Sequence, residues 1–549
     1  TARFGEIEQR FYATTRAGRE LYDRCLAGAE AARERDPGLA KRDFAAAQAA
    51  YARNPLPELP ASQFIVKGGT VYAGVNGAPR RLWRNELMPL PRLSAAYQVN
   101  AKTVVRGGYG TYFDTLNVMN QATDQYGYGR ATNTVLTNDF GQTWNAGNPA
   151  AGVSPLADPF PVRRDGTRFD APLRNALGSM ARIGQGFTYT PYDRSHPRVQ
   201  RWRVGVQREL AHNMMVEAAY WGQWADRIGL TVREDALPEK YWATGNARNN
   251  ALANELNRQV TNPFFLGNFA SLQQSDPVLY QQLSTLGQFQ SQTIAKNRLL
   301  RPFPHMNGLN NNAVPVGKAK TNAFEFNFTR RFARGFNLNS SYTRMFQKNK
   351  TILENEFNTE PTVWWDSDTA RPHRFTTTAI FELPFGKGRA FLQRGVLNHV
   401  LGGWQLAATY EFQPGPLLAW GNNFYYDDVS GFEAAARGGT KSLDQWFNTN
   451  LKLEKNATLT PAAFHVRVFP RFFNGLRADG LNQWNANVLR DFKVFERLRL
   501  QMRADVINVQ NRSQFAAPDV NPVSTLFGKI TSQTSSLNRF YQVQMRLQF

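Results

Sequence analysis

The chain contains 549 residues and carries a formal net charge of +22, with 65 Lys and Arg against 43 Asp and Glu. The basic residues are scattered and form no dense run, which disfavours a nucleic-acid partner, and the single Cys25 excludes an intrachain disulfide and a cysteine metal cluster. No apolar run reaches the roughly 18 residues of a membrane-spanning helix, yet an aromatic content of 13% fits a membrane barrel, in which only alternate strand residues must be apolar.

The beginning of the chain predicts little sheet structure. Thr1 to Tyr12 reads as a weak first strand, and Thr14 to Arg53 has the Ala-, Glu- and Arg-rich pattern of two short helices. The prolines of Asn54 to Pro60 lack the amide hydrogen that a helix or a central strand needs. This segment is therefore predicted to be irregular, and a short strand over Gln63 to Tyr72 is expected to follow it.

Five pairs of strands come next; four of them have a short turn, and Pro372–Leu383 and Trp404–Gln413 are joined by a longer link. Apolar and polar residues alternate in them, which is typical of strands with one apolar and one polar face. Gly335 can supply positive φ in one turn, and the longest of these links predicts a helical turn at Val396 to Leu401. The predicted pairs are Arg92–Val99 with Thr103–Phe113, Val199–Glu209 with Met214–Trp224, Thr321–Phe332 with Phe336–Phe346, Pro372–Leu383 with Trp404–Gln413, and Trp484–Val494 with Leu498–Asn508.

Long polar segments separate these pairs, and the chain ends on a further alternating strand. In outer-membrane barrels, short turns face the periplasm, long loops face outside, and the number of strands is even. The ten hairpin strands, the final strand and the weak first strand give a predicted count of about 12. We therefore predict an all-β, transmembrane antiparallel barrel with short helices, such as Asn250–Gln259 and Pro277–Leu286, in its extracellular loops. The predicted loops are residues 13–91, 114–198, 227–320, 347–371, 414–483 and 509–538, and residues 539–549 form the closing strand with Phe549 as its interface anchor.

The alternation assigns one face of each strand to lipid and the other to the lumen. An Arg at mid-depth on the lipid face would cost roughly 2–4 kcal/mol, so polar positions are predicted to point inward. Each of them either contacts a solute or a plug, or pairs with its neighbours and is hydrated along the wall. The candidate lumen residues are Arg106, Arg201, Arg203, Glu325, Glu382, Glu411, Arg499, Arg503, Asp505 and Arg546.

No catalytic, cofactor or metal site is predicted. The six His occur singly, without a second His or Cys at metal-ligand spacing. His196 and His373 each adjoin a proline at the start of a strand, where a hydrogen bond at the barrel rim is expected. The sequence RGGYG at Arg106 to Gly110 lies within a strand pattern with no following helix, so it does not fit a phosphate-binding loop. Its small residues are expected to let a side chain or a plug approach the wall.

Several stretches, taken in their order, resemble one family. They are NPLPELPASQF at Asn54–Phe64, TVVRGGYGTYF at Thr103–Phe113, HPRVQRWRVGVQREL at His196–Leu210, LRPFPHMNGL at Leu300–Leu309, ARPHRFTTTAIFELPFGK at Ala370–Lys387 and LGGWQL at Leu401–Leu406. Together with the carboxy-terminal strands, this series resembles Oar-like TonB-dependent transporters of the outer membrane. The resemblance covers nearly the whole chain.

The resemblance implies a barrel of about 22 strands with a plugged lumen, which takes up a large solute without chemistry. Energy would come from a TonB-type partner. No plug-like segment precedes the strands, so Thr1 is expected to lie partway around the barrel, with the plug upstream. The expected partners are outer-membrane lipid and lipopolysaccharide, the barrel-assembly machinery, the TonB-type protein and an unknown solute.

Two other functions fit the same residues. Long outer loops would suit a surface-interaction or adhesion protein, and a self-contained barrel of about 12 strands would suit a passive porin. An enzyme is not expected, because the sequence brings together no nucleophile, base and oxyanion-binding group. A plug and an energy-coupling segment upstream would favour the transporter over both alternatives.

Overall fold

One large antiparallel sheet organises the computed structural model of the protein. Its strands are β1 (Arg92–Asn100), β2 (Thr103–Phe113), β3 (Arg198–Leu210), β4 (Met214–Arg233), β5 (Leu309–Ala333), β6 (Phe336–Lys350), β7 (His373–Glu382), β8 (Trp404–Gln413), β9 (Leu481–Lys493), β10 (Arg499–Ile507) and β11 (Phe540–Gln548). The structure describes residues 9–11, 44–66, 69–75, 78–81, 84–114, 126–140, 142–143, 159–160, 162–164, 166–192, 194–439, 441–493, 495, 498–534 and 538–549.

Each strand of the sheet pairs with its neighbours in the sequence, from β1 at one edge to β11 at the other. All of these pairs are antiparallel. Two short segments join the sheet from the side, because Phe187–Tyr189 pairs with β5 and Trp365–Asp366 pairs with β6. The predicted all-β antiparallel architecture is confirmed, including the ten strands of the hairpins and the final strand.

Connections at the two ends of the sheet differ in length. At the short-connection end, β5 and β6 are joined by a turn in which Gly335 has a φ of 74°, in the left-handed region that favours glycine. At the long-connection end, residues 234–308 separate β4 from β5, and residues 414–480 separate β8 from β9. Strands β4, β5 and β6 are longer than predicted and include residues that the sequence analysis placed in loops. The backbone pairing of these strands continues beyond the end of the apolar band.

The tentative first strand differs from the prediction. Of Thr1 to Tyr12, the structure describes Gln9–Phe11, which pairs with Thr70–Tyr72 in a separate two-stranded sheet. The segment carries Gln9 and Arg10 and lacks the alternating apolar residues of a wall strand. The large sheet therefore runs through eleven consecutive strands in the described residues. Most of the helical prediction over Thr14 to Arg53, with Cys25, lies outside the described residues.

The apolar face of the sheet is exposed from edge to edge. Residues directly opposite each other on paired strands share a face, and the register joins Leu93, Tyr109 and Trp202 on one side of the chain to Met502 and Met545 on the other. Tyr97 is 71% exposed and Phe324 is 56% exposed. Because soluble proteins rarely leave so large an apolar surface in water, this face is suited to contact lipid.

The two edges of the sheet are open in the described residues. Side chains of β1 are exposed along the whole strand, and those of β11 are exposed at all but one position. Because antiparallel strands alternate in direction, the first and the last of eleven strands run the same way. An antiparallel seam therefore needs an odd number of further strands between β11 and β1.

The helices lie outside the strands of the sheet, α1 before β1 and the others in the connections. They are α1 (Ala45–Ala52), α2 (Asn250–Asn257), α3 (Leu272–Ser275), α4 (Pro277–Ser284), α5 (Gly287–Gln290), α6 (Lys296–Leu299), α7 (Val396–Leu401) and α8 (Phe432–Ala436). Helices are confirmed in the predicted patches, although α2 ends at Asn257, before a short strand that begins at Gln259, and α4 ends at Ser284; the helical turn at Val396–Leu401 is also confirmed. None of the helices in the described ranges has the length and apolar character needed to span a bilayer.

Replacing Leu500 with arginine is expected to impair assembly more than replacing its neighbour Gln501. Leu500 lies opposite Leu547 on the apolar face, whereas Gln501 lies opposite Arg546 and donates to Asp491 at 3.0 Å. A lipid-facing arginine costs roughly 2–4 kcal/mol at mid-depth and about 0–1 kcal/mol near the interfaces. Leu500 is the second residue of β10, so the expected cost lies toward the lower of these values. The measurement is the fraction of protein that shows heat-modifiable migration on a denaturing gel. Equal folded fractions for Leu500→Arg and Gln501→Arg would contradict the assignment of the faces.

Candidate functional site

The polar face of the sheet contains every candidate lumen residue. The register places Arg106 opposite Gly205, and Arg203 opposite Trp221, on the same face as Glu325. The remaining pairs extend this face through β7 and β8 to β10 and β11. Arg106, Arg201, Arg203, Glu325, Glu382, Glu411, Arg499, Arg503, Asp505 and Arg546 therefore share one face, and its role as the lining of a lumen stays a prediction.

A charged network joins three neighbouring strands on this face. Arg203 on β3 donates to Glu217 on β4 at 3.0 Å and to Glu325 on β5 at 2.6 Å. The indole Nε1 of Trp221 donates to the other oxygen of Glu325 at 2.7 Å. Sequence reasoning did not identify Glu217 or Trp221, although counting back from the turn after Leu210 would place Trp221 opposite Arg203.

A recess of about 690 Å³ lies mainly on the polar face beside this network. Gly108 and Gly110 leave its floor without side chains, and Tyr112, Arg201 and Trp221 line it. Arg92 and Arg201 lie over the Tyr112 ring, with their guanidinium carbons 4.8 Å and 5.6 Å from its centroid. The glycine-rich stretch thus opens a space bordered by guanidinium groups and aromatic rings.

The other candidate residues pair locally or stay free along the wall. Glu411 accepts a hydrogen bond from Arg374 at 3.1 Å, Asp505 accepts one from Arg503 at 2.7 Å, and Glu382 pairs with Arg389. Arg106, Arg499 and Arg546 have no ion pair among the residues that the structure describes. Phe549 directly follows β11 and is 95% exposed, and its role as an anchor stays a prediction.

The two histidines beside prolines form the expected hydrogen bonds at strand entrances. The Nδ1 atom of His196 lies 2.8 Å from Glu86 Oε2, and the His196 backbone amide donates to the same carboxylate. His373 lies between Tyr342 and Arg344, with 2.7 Å between each ring nitrogen and its partner atom. Within the described chain, no three His, Cys, Asp or Glu side chains are grouped to hold a metal ion.

Much of the long connection between β4 and β5 folds into a compact body at the long-connection end. We call it the first cap; it comprises residues 44–64, 177–189 and 237–309, which share one hydrophobic core. Phe44 meets the rings of Phe264 and Phe269 edge-on, and Tyr51 stacks on Phe64 at 3.9 Å. Segments far apart in the sequence therefore bury their aromatic side chains together.

Two charged groups position the first cap. At its base, the fully buried Asp235 accepts hydrogen bonds from the Leu309 amide at 2.9 Å and from Arg233 Nε at 2.8 Å. These bonds hold the two ends of the connection together where it leaves the sheet. Farther out, Lys296, which is 2% exposed, contacts Glu58 at 2.5 Å and Glu255 at 2.6 Å.

A second cap is built from residues 418–478 with Phe527. Its core surrounds Trp420, which meets Phe432 edge-on at 5.1 Å and contacts the ring of Phe447 at 5.3 Å. The two caps touch, because Ala243 pairs with His465 and Asn246 donates to the Tyr425 carbonyl at 2.7 Å. The long connections thus present one continuous folded surface above the sheet.

Comparison with known proteins gives one family match. The family described as outer membrane beta barrel domain matches residues 30–544, and no curated protein matches the sequence. The chain is similar to the outer membrane transporter YddB from Escherichia coli, at 11% identity and a TM-score of 0.37, over 84% of this chain and 40% of that chain. It is also similar to the ferripyoverdine receptor of Pseudomonas aeruginosa, at 10% identity and a TM-score of 0.32, over 84% of this chain and 33% of that chain. The chain therefore spans less than half the length of either structure.

Replacing Glu325 with alanine is expected to destabilise the sheet more than replacing Glu411. The Glu325 carboxylate accepts hydrogen bonds from both Arg203 and Trp221, whereas the Glu411 carboxylate accepts one from Arg374. Because Arg203 is 43% exposed, solvent screens its ion pair, and most of the difference comes from the indole donor left unpaired. We expect Glu325→Ala to lower the free energy of unfolding by about 1–2 kcal/mol and Glu411→Ala by about 0.5 kcal/mol or less.

The measurement is urea unfolding of the protein in lipid vesicles. Adding Arg203→Ala to each variant provides a control, because Arg203 should couple to Glu325 and not to Glu411. If Glu325→Ala and Glu411→Ala lower the free energy of unfolding equally, the proposed stabilising role of the Arg203–Glu325–Trp221 network is wrong.

Acid is expected to loosen the first cap. Hydrogen bonds from Arg258 and then from Lys296 lower the pKa of Glu255 from 4.5 to about 2. A carboxyl with a lower pKa in the folded state contributes stability above its unfolded pKa and loses it as the pH falls toward the folded value. Cleavage of the α2 region by pepsin, corrected with an unstructured peptide, should therefore rise as the pH falls from 4.5 to about 2. Glu255→Gln should flatten this rise. If the variant shows the same dependence of cleavage on pH as the wild type, protonation of Glu255 does not cause the loosening.

Proposed function

Because this chain belongs to the outer membrane beta barrel domain family and resides in the bacterial outer membrane, we propose that it forms the carboxy-terminal part of the wall of an Oar-like, TonB-dependent transporter. The observation that carries the proposal is the division of the eleven-stranded sheet into one exposed, largely apolar face and one polar face that carries all the candidate charged residues. A wall between lipid and a polar lumen needs this division.

The polar face is the proposed lining of the transport lumen. Arg203 and Arg374 pair with carboxylates across strands and remain partly exposed, as expected of side chains that stay hydrated. The recess beside Arg201 and Trp221 is the proposed contact for a large solute or for a plug. Its aromatic rings and guanidinium groups suit polar ligands that also offer a flat or apolar surface.

The complete wall is proposed to contain further strands. The edges at β1 and β11 run in the same direction, so an odd number of added strands gives an antiparallel seam. Eleven more would give the barrel of about 22 strands that the resemblance to Oar-like transporters implies. The plug, the TonB-type partner, insertion by the barrel-assembly machinery and the absence of chemistry belong to the same proposal.

A surface-interaction protein is the second candidate, and the caps favour it. The proposed orientation places the long-connection end outside the cell, so both caps would face the surroundings. Their cores, around Phe264 and Trp420, hold the connections in a fixed shape that a macromolecular partner can recognise. In a transporter, the same caps would form the outer entrance to the lumen.

Planar-bilayer recordings test the plugged transporter against an open pore. We expect the full-length protein to show little steady conductance in the native state and a large conductance after mild urea treatment that displaces a plug. Its detergent-solubilised form should also bind the purified periplasmic domain of the host TonB-type protein.

Two other outcomes of these measurements would identify a different function. A steady open conductance without urea would identify a passive porin. A closed barrel that fails to bind the TonB-type domain would favour the surface-interaction protein. Leu498→Phe, an apolar exchange beside the turn before β10, is a control that should alter neither measurement.

A further inference from the structure

Four lysines form a two-by-two array on strands β5 and β6. The register places Lys318 directly opposite Lys350 and Lys320 directly opposite Lys348. Like charges that face each other across an antiparallel pair repel and destabilise the sheet. An anion bound beside two adjacent pairs of this kind would reduce the repulsion between the four ammonium groups.

The lysine array lies on the lipid-facing side of the sheet. On β5 its residues continue the row of Phe324 and Phe326, and on β6 they continue the row of Tyr342 and Phe346, because every second residue of a strand points the same way. The array follows the apolar band at the long-connection end. The Nζ atom of Lys320 lies 4.9 Å from the centroid of the Trp364 ring, an arrangement typical of a membrane interface.

The carboxylates around the lysine array do not balance it. Lys348 lies 3.5 Å from Asp366, and Asp226 on the adjacent strand β4 is bound by Arg198 at 2.6 Å. Within the described residues, Lys318 and Lys350 have no carboxylate partner. Three of the four lysine side chains are exposed and Lys350 is half-buried. The site therefore retains positive charge at the depth where the apolar band ends.

We propose that the lysine array binds the phosphate groups of a glycolipid in the outer leaflet, the phosphorylated glucosamine disaccharide that anchors lipopolysaccharide. Ammonium groups bind phosphate oxygens through charge-assisted hydrogen bonds, and the neighbouring aromatic band contacts the acyl chains. The lipid is the source of the phosphate because the array faces away from the polar face that a soluble anion would follow. This inference rests on the proposed orientation, with the long-connection end outside.

The test measures lipid retained by the full-length protein after purification from the outer membrane. Mass spectrometry would quantify the co-purified diphosphorylated disaccharide lipid, and rebinding in bilayer discs would compare that lipid with its dephosphorylated form. The test variant replaces all four array lysines with glutamine. The control variant removes the same number of charges elsewhere, at Lys240, Lys387, Lys441 and Lys529.

We expect the array variant to retain roughly tenfold less phosphorylated lipid than the wild type, and the control variant to retain the wild-type amount. Dephosphorylated lipid should bind both variants equally weakly. Heat-modifiable migration would verify folding, and the smaller change Lys318→Gln with Lys350→Gln would be used if the fourfold variant misfolds.

Two results would overturn the inference. Retention that is unchanged by the lysine replacements would exclude the array as the binding site. Displacement of the lipid by millimolar inorganic phosphate would identify a site for free anions instead. Bilayer conductance and binding of the TonB-type domain do not depend on these lysines, so loss of lipid retention alone would leave the transporter proposal intact.

Discussion

The need to satisfy every backbone amide and carbonyl within the hydrocarbon layer governs the rest of this structure. Paired strands meet that need, and their alternation then requires one face of the whole sheet to be apolar. The exposed rows around Phe324 and Val543 belong to that face, and the networks around Arg203 and Asp505 belong to the other. A single constraint thus places both the lipid contact and the candidate site.

The same constraint ends where the strands leave the membrane. Beyond that level, burial of apolar side chains away from water again favours compact cores. The first cap therefore packs Phe44 against Phe264, and the second packs Trp420 against Phe432. The buried Asp235 lies where the first cap meets the sheet, and donors from both ends of the connection, Arg233 and the Leu309 amide, satisfy its carboxylate.

Basic residues are compensated differently within the membrane-spanning sheet and at the end of its apolar band. On the wall, Arg203 and Arg374 face carboxylates across the strands, so their charge is largely compensated. Around the lysine array at the end of the apolar band, compensation is incomplete, and part of the net charge of +22 remains available to an external anion. The interior of the sheet and its rim therefore use basic residues for different purposes.

The sequence by itself determined the strands and their two faces. A period of two residues is a local property, so it identified the ten hairpin strands, the final strand and the residues that share the polar face. It could not specify which distant side chains meet. The pairing of Arg203 with Glu325 joins residues 122 positions apart, and the first cap unites segments from residue 44 to residue 309.

Tertiary structure also decided details that alternation leaves open. The register shifts between Arg330 and Ala333, and that shift aligns Lys318 with Lys350. A different register would move each lysine to another partner. Likewise, Gln9–Phe11 joined Thr70–Tyr72 instead of the wall. The physical reason is that alternation depends on neighbouring residues alone, whereas register, cap packing and strand partners depend on contacts between segments that the chain brings together only when it folds.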